Sequence, residues 1–135
     1  MTMNTIIEDL KEIRYLRREI EGDAERIARL QSALESVVKP LQRIRGGRTF
    51  EDRLSGKVAK VLDMQEKLLW KVMVCEGRIE AVEKELDVLP HHMSIVMRMR
   101  YFDDMEWLQI AETLHYSMRW CTHLHRRALD RLEDH

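Results

Sequence analysis

Apolar residues recur at every seventh position along the N-terminal part of the chain. The recurring positions are Ile6, Ile13, Ile20, Ile27, Leu34 and Leu41. Neighbouring apolar positions are Leu10, Leu16, Ala24, Leu30, Val37 and Val38, and charged residues of both signs lie between them. A sustained heptad stripe with a polar back is typical of a coiled-coil helix. Thr5 and Glu8 have the spacing of a capping box, which favours a helix start there.

A second heptad series follows and predicts a second long helix. It runs through Val58, Gln65, Val72, Ile79 and Leu86, with Val61, Leu68, Cys75, Val82 and Leu89 as its complement. Gln65 is its strongly polar member, and one buried polar residue can fix the register of a coiled coil. At about 34 and 33 residues, both helices would be roughly 50 Å long. Matched lengths favour an antiparallel hairpin over residues 1–89.

The segment between the two series predicts a connecting loop over about 39–53. It contains Pro40 and Gly46-Gly47, and its part 39–48 holds Lys39, Arg43, Arg45 and Arg48 with no acidic residue. Such a basic loop is either a solvated turn or a contact for phosphate or a partner.

The hairpin is expected to pair with a second copy or with another protein, because two helices alone seldom bury enough apolar surface. The residues predicted for this seam are Val58, Gln65, Leu68, Trp70, Val72 and Ile79. Trp70, with Met64 and Met73, lies off the main stripe. These three residues either form the second contact or pack on the hairpin's own flank. A homodimer through the hairpin is the expected assembly.

The pattern changes to short helices after Pro90, which suits the first turn of a helix. Apolar residues at helical spacing are Met93, Val96, Met97, Tyr101 and Phe102. Asp103-Asp104 then breaks the run. A short helix over about 106–114 is predicted to turn Ile110, Ala111 and Leu114 inward.

A turn at His115-Tyr116-Ser117 leads to a last helix over about 118–133, with Ser117 as its N-cap. The predicted buried stripe of this helix is Cys121, Leu124, Ala128, Leu129 and Leu132. His115 stands where the backbone usually turns left-handed and glycine is commonest. The order of helix, short turn and capped helix predicts a small helix-turn-helix domain over 90–135. The expected fold is therefore all-α, a long antiparallel coiled-coil hairpin followed by this domain.

Several residues of the C-terminal segment resemble region 4 of bacterial sigma factors. They are Leu89-Pro90, Val96, Arg98, Arg100-Tyr101-Phe102, Ile110-Ala111, Leu114, Ser117, Ala128-Leu129 and Leu132. Together with the N-terminal hairpin, the segment is similar to small phage-encoded transcriptional regulators of the RinA/ArpU type. The resemblance implies binding to double-stranded DNA, activation of transcription, and RNA polymerase as a further partner. Glu106, Leu108, Trp120 and Thr122 depart from the sigma pattern, so no promoter preference is carried over.

The ridge opposite the buried stripe of the last helix carries the predicted DNA contacts. Arg119, Thr122 and His123 are predicted to reach base edges, where arginine can pair bidentately with guanine. The predicted phosphate contacts, which position the protein without specifying sequence, are Ser117, Arg126, Arg127 and Arg131. Trp120 either touches a base or sugar or packs beside the preceding helix, and packing is the favoured interpretation.

Composition excludes several classes of function. With 5 Gly and 2 Pro among 135 residues, 35% of them charged, a β-sandwich or barrel is excluded. We find no phosphate loop and no catalytic constellation, so we expect neither an enzyme nor a cofactor. Cys121, His123 and His125 do not predict a metal site, because His123 points away from the other two on a helix. Without a long apolar run or a signal segment, and with two separate cysteines, we expect a cytoplasmic protein in a bacterial host cell, with no membrane contact.

Three functions remain open at this point. The first is a transcriptional regulator that reads the major groove with helix 118–133. The second is a DNA-packaging oligomer like a small terminase subunit, although there the DNA-binding part usually comes first. The third is a coiled-coil adaptor that does not bind DNA. A net charge of −1 implies modest nonspecific affinity for DNA, so specificity would have to come from dimerisation or from RNA polymerase.

Overall fold

The computed structural model describes residues 4–41 and 48–133, which form five α-helices and no strand. The helices are α1 (Asn4–Leu41), α2 (Arg48–Asp87), α3 (His91–Tyr101), α4 (Trp107–Leu114) and α5 (Met118–Glu133). Side chains are described for 6–37 and 51–133, so the predicted capping role of Thr5 lies outside them. The all-α prediction is confirmed. None of these five helices has a stretch apolar and long enough to pass through a membrane.

The second long helix begins earlier than predicted. The loop was expected to extend to about residue 53, but α1 continues to Leu41 and α2 begins at Arg48. Residues 48–53 contain neither glycine nor proline, and Glu51 places a negative charge in the first turn of α2, where the helix dipole favours it. The two long helices therefore have 38 and 40 residues. Residues 42–47, which include Arg43, Arg45 and Gly46-Gly47 of the predicted basic loop, lie outside the described part of the chain.

The chain divides into two compact units. Unit 1 combines Met1–Arg18 with Val74–His135, and unit 2 is Glu19–Met73. Residues on both sides of the predicted domain boundary at 89 and 90 thus belong to unit 1.

The core of unit 1 is built from both long helices and all three short ones. Its most deeply buried side chains are Leu10, Ile13, Cys75, Leu86, Val96, Met97, Ile110, Cys121, Leu124 and Leu132. The residues predicted to face inward on α3 are all buried, as is Phe102 just beyond its end. An ion pair between Arg78 and Glu12 joins α2 to α1 in this unit.

A cluster around Arg98 joins α3 to the end of α2. Pro90 is the N-cap of α3, one position before the predicted first turn, and its carbonyl accepts the N–H groups of Met93 and Ser94. Arg98 Nη1 lies 2.8 Å from Glu83 Oε1, and its Nη2 lies 2.6 Å from Asp87 Oδ1. Its Nε donates to Ser94 Oγ at 3.2 Å. We call Arg98, Glu83, Asp87 and Ser94 the Arg98 cluster.

Within the described residues, unit 2 consists of the later part of α1 and the first part of α2, and its core is small. Ile27 and Val61 are its buried apolar residues among those described. Lys71 Nζ lies 2.6 Å from Asp23 Oδ2, which ties the end of the α2 portion to the start of the α1 portion. Coiled-coil packing of the hairpin stays a prediction.

Candidate nucleic-acid interface

The start and end of α4 are fixed by local hydrogen bonds. Glu106 is its N-cap and forms a capping box with Gln109, whose Oε1 accepts the Glu106 N–H at 3.0 Å. At the other end, His115 has φ 59° and ψ 38°, the left-handed conformation expected at this position. The Tyr116 N–H donates to the Ala111 carbonyl at 3.0 Å. The chain therefore turns sharply after Leu114.

Ser117 starts α5, as predicted. Its Oγ accepts the backbone N–H of Trp120 at 3.0 Å, and its carbonyl accepts the N–H of Cys121 at 3.0 Å. Three residues, His115 to Ser117, thus separate α4 from α5. The Ser117 hydroxyl proton is not used by the cap and can still be donated to a phosphate oxygen.

One face of α5 is buried against α3 and α4. Cys121, Leu124, Ala128 and Leu132 form this face, and all four are buried. Leu129, and Leu114 on α4, were predicted to face inward as well, but both are half-buried. Leu129 borders a cavity next to α1, a neighbour that the pattern of α5 by itself does not reveal.

The opposite face of α5 is exposed and basic, and we call it the α5 ridge. It comprises Arg119, His123, Arg126, Arg127 and Arg131. Within the part of the chain that the structure describes, its four guanidinium groups form no ion pair, as is also true of the exposed Arg26, Arg29 and Arg53, whereas Arg14, Arg78 and Arg98 are paired. Asp130 is also exposed on this side of α5, so the ridge presents a net positive charge to solvent, partly offset by one carboxylate.

Thr122 is less available than predicted. It is half-buried, and its Oγ1 donates to the Arg119 carbonyl at 3.0 Å. Its side chain borders the same cavity as Leu129. Of the three predicted base contacts, the structure places Arg119 and His123 on the open surface and Thr122 at its edge.

Trp120 differs from the favoured packing interpretation. Its side chain is 45% exposed. It stacks on His123, with ring centroids 5.3 Å apart and an interplanar angle of 26°. His123, three residues later on the same helix, is therefore the neighbour of the Trp120 ring, in place of the preceding helix that was expected to pack against it. Trp120 thus joins the solvent-facing side of α5 beside the ridge.

His125 has a structural role that the sequence did not indicate. Its Nε2 lies 2.7 Å from the Tyr101 hydroxyl. Its ring packs edge-on with that of Trp107, and the two ring centroids are 4.9 Å apart. Burial, and then the charge of Arg100, lower the pKa of His125 to about 4, while burial raises the pKa of Tyr101. Both groups are therefore uncharged at neutral pH, and the tautomer of His125 sets which of the two donates. Among the described residues no group of His, Cys, Asp and Glu is arranged to hold a metal ion.

The predicted seam residues lie at the surface of α2 rather than in a core. Val58 is 41% and Trp70 is 67% exposed, while Gln65, Leu68, Val72 and Ile79 are half-buried. Within unit 2, three further apolar side chains are 59–61% exposed, namely Leu62, Leu69 and Met73. We call Val58, Leu62, Leu69 and Met73 the apolar face of unit 2. Leu62 and Leu69 follow Val58 and Gln65 by four residues, and this helical spacing was the signal that could have identified them.

Comparison with models of known families, with curated proteins and with solved structures gave no match. The resemblance to sigma region 4 and to RinA/ArpU-type regulators therefore stays one of sequence pattern.

Proposed function

We propose that this chain is a sequence-specific transcriptional regulator that binds double-stranded DNA through α5. The observation that carries the proposal is the α5 ridge: exposed guanidinium groups without ion pairs among the described residues, on a capped helix that follows a sharp turn. A helix of 16 residues is about 24 Å long and fits the major groove, which is about 12 Å wide. The helix, turn and helix have the order of a DNA-binding motif.

The residues of α5 divide into two groups of contacts under this proposal. Arg119 and His123 lie nearest the N-terminal end of the helix and reach base edges, with Trp120 beside them. Arg126, Arg127 and Arg131 lie further along and neutralise phosphates, as does the Ser117 hydroxyl. Thr122 contributes its methyl group at the edge of this surface.

Assembly is the second part of the proposal. Because the net charge is only −1, attraction to the DNA backbone as a whole is modest, and a single recognition helix needs help to bind tightly. The apolar face of unit 2 supplies a surface through which two copies pair. A homodimer presents two copies of α5 to two half-sites. RNA polymerase is the alternative source of added affinity.

The resemblance to RinA/ArpU-type proteins supports a phage or prophage activator that works in the cytoplasm of a bacterial host. The proposal is of a binding protein and not of an enzyme. Small terminase-like packaging and a coiled-coil adaptor role are the competing functions.

Selection of duplexes from a random library by the purified protein, at near-physiological salt, tests DNA binding. An enriched inverted repeat is the expected result. A single short site would instead indicate a monomeric reader of the sigma type. Binding by a ring-shaped oligomer would favour packaging, and no enrichment would favour the adaptor.

Two variants then separate base readout from phosphate contact on the selected site. Arg119→Ala is expected to cost about 1–3 kcal/mol and to relax one base position, whereas Arg127→Ala weakens all sequences alike. Arg29→Ala is the matched control, because Arg29 is an exposed arginine of unit 2 that lies far from α5 in sequence. Uniform losses in both α5 variants would show that the base-reading face is assigned incorrectly.

A further inference from the structure

Unit 1 contains a cavity most of whose lining lies outside the proposed DNA contacts, which share only Thr122 and Arg126 with it. Its volume is about 620 Å³, and it lies between the first part of α1, the end of α3, the start of α4 and the middle of α5. Sites for small molecules commonly have volumes of this order. We call it the α1–α5 cavity.

Cations dominate the lining of this cavity. Lys11, Arg14, Arg18, Arg100 and Arg126 all line it, and no carboxylate does. Two carboxylates lie close to these cations. Asp104 Oδ1 is 2.8 Å from Arg14 Nε, and Asp104 Oδ2 is 3.0 Å from Arg18 Nε. Glu106 is further away, at 3.4–3.7 Å from Arg14, Arg18 and Arg100.

Two of the five cations have no such partner. Within the described residues, Lys11 and Arg126 form no ion pair, and both are exposed. Burial and the charge of Arg14 lower the pKa of Arg100, which fits a region of excess positive charge. An anion that enters the cavity can therefore bind Lys11 and Arg126 without displacing Asp104.

Aromatic side chains form the remaining wall. The guanidinium carbon of Arg100 lies 4.5 Å from the ring centroid of Trp107. Tyr101 and His125 close the cavity as an uncharged, hydrogen-bonded pair. Tyr15 on α1 also lines the cavity and is 67% exposed, so its ring is open to a ligand. Cations beside an accessible aromatic ring are the combination that recognises a flat ring carrying a negative group.

We propose that the α1–α5 cavity binds a small anion that carries an aromatic ring, the chemical class that includes nucleoside monophosphates. The anionic group contacts Lys11 and Arg126, and the ring packs against Tyr15. This proposal does not depend on DNA binding. Because Thr122 and Arg126 belong to α5, a ligand in the cavity adjoins the helix proposed to read DNA.

Fluorescence of Trp107 tests the proposal in the full chain. Trp70→Phe with Trp120→Phe leaves Trp107, which lines the cavity, as the single tryptophan of the 3 in the sequence. AMP, GMP and UMP are titrated against this protein, with inorganic phosphate and adenosine as the two halves of a ligand. The expected result is a saturable change in Trp107 fluorescence with at least one monophosphate. It should saturate at concentrations about tenfold below those needed for inorganic phosphate or adenosine alone.

Paired variants locate the binding. Lys11→Ala with Arg126→Ala is expected to weaken binding by about tenfold or more, since each removes a charge-assisted contact. Lys60→Ala with Arg29→Ala removes the same charge from unit 2 and is expected to change nothing. Tyr15→Ser tests the ring contact separately. All these side chains are exposed, and thermal melting of each variant checks that folding is intact.

Three results would overturn the proposal. One is the absence of saturation by any monophosphate up to roughly 1 mM. Another is equal binding of inorganic phosphate and AMP, which would leave no role for the ring. The third is that duplex DNA alone produces the Trp107 response while the monophosphates do not, because the cavity would then belong to the DNA interface.

Discussion

His125 shows how strongly burial changes a single side chain in this protein. By sequence it is one of three residues, with Cys121 and His123, whose spacing invites a metal interpretation. In the structure His123 stacks on Trp120 at the surface, whereas His125 pairs with Tyr101 beneath Arg100. The same residue type thus has two environments only two positions apart. The half-buried His125 is neutral at neutral pH, whereas His123 is exposed to solvent.

The lowered pKa of His125 makes the stability of unit 1 depend on pH. The pKa of His125 is about 4 in the folded protein and about 6.5, its usual value, in the unfolded chain. Between these pH values the unfolded chain therefore binds more protons than the folded protein. The contribution of neutral His125 to the free energy of unfolding is therefore fully present above pH 6.5, and it is lost as the pH falls towards 4. Allowing for partial solvent exposure, the loss is about 2 kcal/mol.

Urea unfolding of the wild type and of His125→Gln, at pH 7.5 and pH 4.5, measures this effect. The variant is expected to lose less stability than the wild type between the two pH values. His123→Gln, at an exposed histidine, should behave like the wild type. If His125→Gln and the wild type lost stability equally, the histidine would not be the titrating group.

The turn between α4 and α5 is the element whose geometry depends on one backbone angle. His115 adopts φ 59°, a conformation that costs about 1–2 kcal/mol for residues with a Cβ atom and nothing comparable for glycine. The helix nevertheless ends there, since Tyr116 bonds back to Ala111 and Ser117 caps the next helix. The turn is therefore held by its neighbours at some cost in stability.

His115→Gly is expected to raise the free energy of unfolding by about 0.5–1 kcal/mol, because relief of the left-handed strain exceeds the added flexibility of the unfolded chain. His123→Gly makes the same replacement inside α5 and should lower it by about 1 kcal/mol. Urea titration of both variants at neutral pH gives the comparison. Destabilisation by His115→Gly would mean that the histidine side chain itself supports the turn.

Elements marked by local signals could be predicted from the sequence, and tertiary neighbours could not. Ser117 gave the start of α5, Pro90 gave the start of α3 to within one position, and Asp103-Asp104 ended α3. Thr122 and Leu129 face a cavity shared with α1, a segment more than a hundred residues earlier in the chain. Their half-buried state depends on that packing, which no pattern within α5 encodes.

The start of α2 could not be predicted for a different reason. Gly46, Gly47 and the positive charges around them predict a loop that extends about five residues too far towards the C-terminus. Residues 48–53 are acceptable in a helix, and their one favourable signal, the carboxylate of Glu51 in the first turn, is weak on its own.

At the scale of the whole molecule, the apolar face of unit 2 is the exposed surface that a second protein could cover. Leu62 and Leu69 on the apolar face of unit 2 are about 60% exposed, which is costly for a chain that stays monomeric. Among the described residues of unit 2, the buried apolar side chains are Ile27 and Val61, so the core of this unit does not cover its apolar face. Self-association is the proposal that these exposures support.

Sedimentation equilibrium is expected to give a wild-type mass of twice 16.2 kDa. Leu62→Glu with Leu69→Glu should give a monomer, because paired copies would bury unpaired carboxylates. Leu108→Glu is the matched control, since Leu108 is 56% exposed on α4, and it should leave the mass unchanged. A wild-type monomer, or a double variant that still dimerises, would contradict pairing through this face.

The Arg98 cluster bears on how proteins of this design exchange parts during evolution. Parts joined by an unstructured linker can be recombined without regard to their neighbours. In this chain Glu83 and Asp87 precede Pro90, while Arg98 follows it. A recombination crossover near Pro90 would separate the guanidinium from both carboxylates and leave a half-buried charge without a partner. A crossover that preserves the cluster must fall before Glu83 or after Arg98, so the last turns of α2 are inherited together with the first two turns of α3.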